Sequence, residues 1–460
     1  MATNNSPGPS NQTIPNDIEL HIRDEVLGLS QRRLVAYQFG QPMLLPKQSG
    51  VIATATRYER LPLPSAPLSE GVAAAGASIT IAQVSVTVQQ WGDLVRVTDV
   101  ADMTIKHPLF KQAIRLISIQ QVETLERNTL NTLLGGAQVN YAASRANRAS
   151  LIVSDVLNPL EIGKVVGALR TFGAIEYMGD ERTDMKVDAG KPSKASSDPK
   201  GMPHYVAMIH PLVEQDLMQN STVATAFSQS DVNKLYNGEL GVWGGVRFCR
   251  ATMIPFWVGV ATVGAGTPST TGGALANGTY YLQVTASPIS TSVEQRIYQV
   301  ATVTTVGGSG AGSISLTLPT QPGYFFNVYI GTTTSPANLA TTASGPTVGQ
   351  YAGQAAQLTS GSTVILTGVG IAQTPPAAPA TGVTVYPTIF FGQDAYAQVI
   401  LDNVKYTYLN TADKSDVMNQ LRITSWKMMY GSLILHNGFM VRVESSSAFS
   451  PGYTAGTSSD

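Results

Sequence analysis

The sequence predicts an α+β protein that carries an inserted all-β segment. Between Thr262 and Gly382 only Glu294 and Arg296 are charged, while Gly, Thr, Ala and Ser are abundant. On either side, charged residues are spread along segments whose apolar residues recur with a helical or an alternating period. A change of composition at both ends of a segment is typical of domain boundaries, so we expect residues 262–382 to divide a host domain in two.

Length, charge and cysteine content exclude several classes of protein. A chain of 460 residues exceeds one ordinary hydrophobic core, so two or three domains are expected. The formal net charge of -1 lacks the basic excess of a protein that tracks phosphates. The single cysteine excludes an internal disulfide, and the N-terminal sequence has no signal-peptide pattern. We therefore expect assembly in a reducing cytosol, without secretion and without a membrane span.

The first hundred residues predict an arm, a helix and a long two-stranded β element. Residues 1–16 are polar and proline-containing, so they cannot order themselves, and residues 17–39 have a helical period. Residues 51–58 form the outgoing strand, and residues 79–97 return with one phase slip near Gln83, which we interpret as a bulge or a bend. Because an isolated hairpin has little core of its own, we expect this element to lie on another molecule.

Three helices and a buried strand follow. The longest helix begins at His107-Pro108 and ends at Gly135-Gly136, and a second begins at the predicted cap Asn158 and stops at Gly173. Residues 176–203 are charged and aperiodic, which predicts a long exposed loop. Residues 205–209 then predict a buried strand, and His210-Pro211 predicts the start of the third helix.

The charge-poor segment and the last part of the chain are predicted to be strands. After the segment, residues 383–401 and 423–443 have the apolar density of central strands. Within the segment, Gly, Pro and Ser turns separate short strands, predicted at residues 278–286, 296–306, 313–318, 325–330 and 363–367. Strands of this length and spacing predict a β-sandwich of the immunoglobulin or fibronectin kind.

No catalytic, cofactor-binding or metal site is predicted. The five histidines lack the spacing of a zinc pair, and helix capping is favoured for His107 and His210. Cys249 is flanked by arginines, but a packing role is favoured over a reactive thiol. A solvated loop is favoured over a cation site for the acidic residues Asp180, Glu181, Asp184 and Asp188. Phosphate-binding loops and nucleophile elbows are absent from the sequence.

Several motifs together resemble a known family. They are RYERLPL at 57–63, EGV at 70–72, QWGDLVRVTD at 90–99, GELG at 238–241, YPTIFFGQDAY at 386–396, SWK at 425–427 and LHNGFMVRVE at 435–444. In this order they resemble the major capsid proteins of tailed phages, of the kind typified by N4-like podophages. The resemblance covers most of the chain outside residues 262–382.

The resemblance implies an HK97-type capsid fold with an inserted β-sandwich. The expected divisions are an N-terminal arm and first helix (1–50), an extended loop (51–100), a peripheral domain with a spine helix (101–157), the first part of an axial domain (158–261), the immunoglobulin- or fibronectin-like insert (262–382), the second axial and peripheral part (383–446) and a C-terminal tail (447–460). Arg60, Glu70, Trp91 and Asp93 are the expected contacts between subunits, since Trp and Arg often carry interface energy.

The implied function is structural. The protein would assemble with copies of itself, as hexamers and pentamers, into an icosahedral shell that encloses double-stranded DNA without reading its sequence. A scaffolding protein, a portal and decoration proteins are the other implied partners, and assembly is expected in the cytoplasm of a bacterial host. Two alternatives remain: an encapsulin-like compartment shell, and a surface adhesin that uses the insert. Whether the insert contacts a glycan, a neighbour or no ligand stays open.

Overall fold

The structure is a computed structural model that describes most of the chain. It covers residues 35–46, 48, 50–58, 61, 63, 78–104, 109–177, 203–229, 236, 238–264, 266–287, 294–305, 311–319, 324–342, 358–359, 363–409 and 420–450. The predicted N-terminal arm, most of the first predicted helix and the acidic loop of residues 180–188 lie outside these ranges. At the described end of that helix, Ala36–Gln38 is a short 3₁₀ helix.

Helices are concentrated in the first half of the chain. Its elements are β1 (Gln41–Leu44), β2 (Ile52–Tyr58), β3 (Ile81–Thr87), β4 (Gln89–Thr98), α1 (Asp99–Thr104), α2 (Leu109–Leu133), β5 (Val139–Tyr141), α3 (Pro159–Thr171), β6 (Tyr205–Ile209), α4 (Pro211–Met218), α5 (Ser221–Gln229), β7 (Glu239–Trp243), β8 (Val246–Arg250) and β9 (Trp257–Val260).

The second half of the described chain is almost entirely β structure. Its elements are β10 (Thr267–Ser269), β11 (Gly278–Ser287), β12 (Arg296–Tyr298), β13 (Ala301–Thr305), β14 (Ser313–Thr317), β15 (Phe325–Gly331), β16 (Asn338–Thr342), β17 (Leu358–Thr359), β18 (Thr363–Ala372), β19 (Thr384–Phe391), β20 (Tyr396–Leu409), β21 (Leu421–Ile434) and β22 (Met440–Ser445). The predicted α+β class is therefore confirmed.

Local helix signals are confirmed where the structure describes them. The Asn158 side chain accepts a hydrogen bond from the Glu161 amide at 3.0 Å, as an N-cap does. After α3, Gly173 has a φ of +73°, a conformation that glycine adopts at no steric cost. His210 caps α4, because its Nδ1 accepts a hydrogen bond from the Leu212 amide at 3.2 Å.

The chain divides into two compact units. The first contains residues 1–32, 42–125 and 399–431, and the second contains residues 33–41, 126–398 and 432–460. The first unit has a four-stranded sheet in the order β1-β20-β21-β4, the two-stranded hairpin β2-β3, and the N-terminal part of α2. All three buried apolar clusters of the described residues lie in the second unit.

The return arm of the predicted hairpin breaks at a different residue from the one expected. β3 pairs with β2 without a register shift, from Ile81 opposite Tyr58 to Thr87 opposite Ile52, so no bulge occurs near Gln83. The break is at the buried residue Val88, whose amide still bonds to the Val51 carbonyl at 2.8 Å. Beyond it, β4 pairs with β21 in another sheet. The break therefore marks the point where the pairing partner changes from β2 to β21, which the spacing of apolar residues in the sequence cannot show.

In the second unit the core lies around one central strand. Every residue of β19 is buried, and β19 pairs with β22, β6 and β9. Apolar side chains cover both faces of this sheet, because Val385, Ile389 and Phe391 belong to one cluster, whereas Tyr386 and Phe390 belong to the other. Strands that are buried on both faces need apolar side chains on both, and β19 has them apart from the threonines Thr384 and Thr388.

A buried carboxylate fixes the start of the described chain. Glu126 on α2 accepts hydrogen bonds from the amides of Val35, Ala36 and Tyr37 at 3.0, 2.8 and 3.2 Å. The Ala36 carbonyl in turn accepts a hydrogen bond from the Tyr396 hydroxyl at 2.5 Å. Free amides at a helix start attract negative charge, so one carboxylate satisfies donors that burial would otherwise leave unpaired. Burial raises the pKa of Glu126, and these three bonds oppose that effect.

The charge-poor segment forms a sheet that closes on its own core. Inward-facing residues of β11, β14, β15 and β18, such as Leu282, Ile314, Val328 and Leu366, build the third apolar cluster. Its strands form one hydrogen-bonded series, β10-β14-β18-β16-β15-β11, with β13 beside β11 and β17 beside β15. The structure thus differs from a sandwich of two separate sheets, because β16 bonds to both β15 and β18.

The segment is also continuous with the host sheet. The single strand expected over residues 296–306 is two strands, because the register against β11 shifts by one residue between β12 and β13. On its other edge, β12 pairs in parallel with β9. The Val258 amide bonds to the Gln295 carbonyl at 2.7 Å, and the Gln299 amide bonds to the Val260 carbonyl at 3.0 Å. On its other side, β9 pairs antiparallel with β19.

Candidate assembly surfaces

The hairpin β2-β3 has one face that no other described residue of the chain covers. Ile52, Thr54, Thr56 and Tyr58 share this face of β2, and all four are exposed. Tyr58 lies opposite Ile81, and these two side chains are 71% and 52% exposed. The opposite face is partly covered, since Ala53 is buried and Val84 and Val86 are half-buried. Large apolar side chains clustered on an exposed ribbon are typical of an interaction surface.

Trp91 and Asp93 lie on β4, and the structure gives Asp93 partners inside the chain. Asp93 Oδ2 accepts a hydrogen bond from Gln120 Nε2 of α2 at 2.6 Å, and Asp93 Oδ1 accepts one from the Leu94 amide at 2.8 Å. Trp91 is two residues away on the same side of the strand and half-buried, opposite Met428 of β21. Both side chains therefore point toward α2.

The other two expected contact residues, Arg60 and Glu70, lie outside the described residues. The described part of α2 adds one residue that sequence reasoning missed: Gln120 also accepts a hydrogen bond from Trp426 Nε1 at 3.3 Å, which joins β4 and β21 to the helix. Gln120 lies three residues after Ile117 and seven after Ala113, so it shares the helix face of these two buried residues. The sequence analysis counted only the apolar side chains of that face and therefore missed this polar one.

A buried ion network lies where the charge-poor segment rejoins the host. Arg148 donates to both carboxylate oxygens of Glu444 at 2.6 and 2.7 Å and to the Ala377 carbonyl at 3.0 Å. Its guanidinium stacks 3.7 Å above the Trp257 ring. Arg442 also lies beside Glu444, at 3.1 Å, and burial lowers the pKa of Arg442. Two cations around one carboxylate fix the chain on the C-terminal side of the segment to the host.

Several titratable side chains of the second unit have roles in packing or hydrogen bonding. His204 lies 3.0 Å from the Tyr236 hydroxyl, and burial raises the pKa of Tyr236 to about 12. Burial lowers the pKa of His210 to about 4, so it caps α4 as a neutral imidazole. Cys249 is fully buried, and burial raises the pKa of its thiol. A thiolate, the reactive form of cysteine, is therefore disfavoured there.

One surface cavity of about 330 Å³ is lined by Tyr141, Ser144, Arg145, Glu161 and Lys164, among others. Its cations already have partners. Arg145 pairs with Asp155 at 2.7 Å, and Lys164 pairs with Glu161 at 3.0 Å. Within the described ranges, no three His, Cys, Asp or Glu residues are grouped to hold a metal ion, and no helix there is long and apolar enough to cross a membrane.

Comparisons with known proteins give similarities to solved structures. No protein-family model and no curated protein matches the sequence. The chain is similar to the capsid of Ralstonia phage GP4, with a TM-score of 0.49, 9% identity and coverage of 95% of this chain and 98% of that one. For the cyanophage Pam1 capsid the TM-score is 0.49 at 10% identity, with 97% and 100% covered. For the SrpI encapsulin of Synechococcus elongatus it is 0.38 at 6% identity, with 90% and 88% covered.

Proposed function

We propose that the protein is the major capsid protein of a tailed phage, with an HK97-type arrangement, and that copies of it assemble into a shell around double-stranded DNA. The observation that carries this proposal is the hairpin β2-β3, a long ribbon with exposed apolar residues and no core of its own. A ribbon of this kind is marginal in water, so it needs a surface outside its own chain to cover it.

The distribution of buried and exposed apolar residues supports the same proposal. The second unit contains the three apolar clusters, whereas the first unit contains most of the exposed large apolar side chains. Besides the hairpin, these include Leu94 of β4, Met103 of α1 and Tyr408 of β20. A unit with a thin core and many exposed apolar residues is stabilised when neighbouring subunits bury them.

The finer assignments belong to the same proposal. We assign residues 51–100 to the extended loop, α2 to the spine helix of the peripheral domain, and β6, β8, β19 and β22 to the axial domain. We assign residues 262–382 to an inserted all-β domain with the strand spacing of immunoglobulin- or fibronectin-like modules, in which one curled sheet takes the place of two separate sheets. We place the protein among N4-like capsid proteins on the sequence motifs. Arg60, Glu70, Trp91 and Asp93 are the proposed contact residues, and Asp93 would then contact a neighbour while keeping its bond to Gln120.

The partners follow from the proposal. They are copies of this chain, a scaffolding protein, a portal and decoration proteins, all meeting in the cytoplasm of a bacterial host. The near-neutral charge of the chain supports a container role, because a strongly basic wall would hold DNA through salt-dependent phosphate contacts.

Electron microscopy of the purified protein tests the proposal. We expect closed, regular particles when the full chain is expressed with its neighbouring genes. A double variant, Tyr58→Ser with Ile81→Ser, should remain soluble and folded but give few particles, because both side chains are exposed in the single chain. The matched control is Thr54→Ser, on the same face of β2. Normal particle yield from the double variant would contradict the proposed role of the hairpin, and nuclease-protected DNA in particles would separate a capsid from an encapsulin-like shell.

A further inference from the structure

The charge-poor segment contains a buried carboxylate that has no cationic partner among the described residues. Glu294, the only acidic residue between Thr262 and Gly382, is 1% exposed. The one basic residue of the segment, Arg296, stacks instead on the ring of Tyr324, 4.9 Å away. Burial raises the pKa of Glu294, and only neutral donors oppose that effect. A buried charge is expensive unless something compensates it.

The Glu294 carboxylate is held by the strands of the curled sheet. Its Oε1 accepts hydrogen bonds from Asn327 Nδ2 and from the Tyr329 hydroxyl, the latter at 2.7 Å. Thr285 of β11 lies directly opposite Asn327 of β15, and its hydroxyl is close enough to Glu294 to lower the pKa of that carboxyl. The group is therefore built from β11, β15 and the residue that precedes β12 by two positions.

Two oxygen atoms of this group, Glu294 Oε2 and Asn327 Oδ1, are buried and have no hydrogen-bond partner among the described residues. Buried polar atoms in folded proteins are nearly always paired, so two orphan oxygens in one group point to a missing ligand. When Glu294 is ionised, both atoms can only accept hydrogen bonds or bind a cation, because one belongs to a carboxylate and the other to an amide carbonyl. The Thr285 hydroxyl, which acts on the same carboxyl, is the third oxygen of the group.

The chemistry of the atoms selects the ligand. A water molecule would satisfy the oxygens but would leave the negative charge uncompensated. Oxygen-only ligands suit hard cations, and nitrogen or sulfur ligands that zinc prefers are absent from this group. Magnesium retains several of its waters, whereas calcium accepts carboxylate, amide and other neutral oxygens in an irregular shell. We propose that Glu294, Asn327 and Thr285 form a calcium site inside the charge-poor segment.

Such an ion would add an ionic link between parts of the segment that already meet through strand pairing and apolar packing. With only one carboxylate the site is of low charge, so its affinity belongs to the weaker range of calcium sites, about 10⁻⁴ to 10⁻³ M. The inference rests on residues of this segment and not on shell formation. The calcium proposal and the proposed capsid function can therefore each fail without the other.

Terbium luminescence of the purified full-length protein tests the proposal, because Tyr329 lies in hydrogen-bond contact with Glu294 and can sensitise a lanthanide bound there. We expect terbium emission excited through tyrosine that millimolar calcium displaces and magnesium does not. Thermal unfolding should move to higher temperature in calcium and back in EDTA, because a ligand that binds only the folded state stabilises it.

Two variants make the test specific. Glu294→Gln keeps the shape of the side chain and should weaken calcium binding at least tenfold, whereas the control Glu123→Gln on α2 should bind as the unaltered protein does. Equal calcium binding by Glu294→Gln and the unaltered protein would place the ion elsewhere and overturn the proposal. Higher stability of Glu294→Gln, together with no calcium effect on the unaltered protein, would show that Glu294 is held as a neutral acid and would overturn it equally.

Discussion

Deletion of the charge-poor segment tests whether the host forms a shell without it. The strands on either side of the segment, β9 and β19, are antiparallel neighbours, and the Gly259 amide bonds to the Val383 carbonyl at 3.0 Å. Joining Val260 to Val383 through a short Gly-Ser linker therefore replaces an excursion of about 120 residues with a hairpin turn. We expect closed particles of similar diameter with less density outside.

The structure allows the cost of this deletion to be worked out. The host loses the parallel pairing of β9 with β12, which includes two backbone hydrogen bonds at its ends, each worth about 1 kcal/mol. Arg148 keeps Glu444 but loses the Ala377 carbonyl, worth about 1.5 kcal/mol or more for a charged donor. Removal of Ile297, which is fully buried in a host cluster, costs about 2 kcal/mol or more. The free energy of unfolding should fall by about 5 kcal/mol or more, which a domain with the usual 5–15 kcal/mol can survive only with a lower Tm.

The deletion also leaves β9 as an apolar edge strand, and an edge of this kind invites aggregation. Val260 is partly exposed and packs against the core of the deleted segment, so Val260→Lys protects the new edge. We would measure particle formation by electron microscopy and the Tm by calorimetry, for the deletion with and without Val260→Lys. Folded subunits that do not assemble would make the segment part of the assembly interface. Aggregation of both variants would show that the host needs β12 to fold, and either result would refute the reasoning.

Four further predictions concern particle formation and the stability of the subunit. Trp91→Ala should reduce particle yield by weakening each contact by a few kcal/mol while leaving soluble subunits, and a normal yield in electron micrographs would contradict this. Mature particles should run at monomer mass on denaturing gels, because no lysine between Lys47 and Lys106 is available for a cross-link from the extended loop, and a boiling-resistant ladder would refute it. His210 has a folded pKa of about 4, below its unfolded value, so its contribution of about 3 kcal/mol to the free energy of unfolding is present above pH 6.5 and is lost as the pH falls toward 4. His210→Asn keeps a cap but has no imidazole, so its urea unfolding should not show this loss of stability at low pH. Glu126→Gln should lower the free energy of unfolding by about 2 kcal/mol, because only the oxygen of the amide can accept hydrogen bonds from the amides of Val35, Ala36 and Tyr37. An unchanged urea midpoint would contradict this role of Glu126.

The sequence by itself was enough to predict the helix caps, several strands and the two ends of the charge-poor segment. Asn158 and His210 act as the caps that their positions before Pro159 and Pro211 predict, because capping depends on a few neighbouring residues. The apolar and aromatic density of residues 383–401 likewise predicted a central strand, and every residue of β19 is buried. The long strands of the charge-poor segment were also predictable, since Gly, Pro and Ser turns separate them.

Only the tertiary structure decided which strand pairs with which. The break at Val88 arises where the return arm changes partner from β2 to β21, and β12 divides from β13 where the register against β11 shifts by one residue. Pairing between parts of the chain that are distant in sequence leaves no periodic signal. The same limit applies to buried polar groups. Glu126 and Glu294 look like ordinary solvent-facing carboxylates in the sequence, but the fold surrounds one with three backbone amides and the other with neutral side chains. Burial of a charge is a property of long-range packing, so its cost and its compensation appear only once the chain has folded.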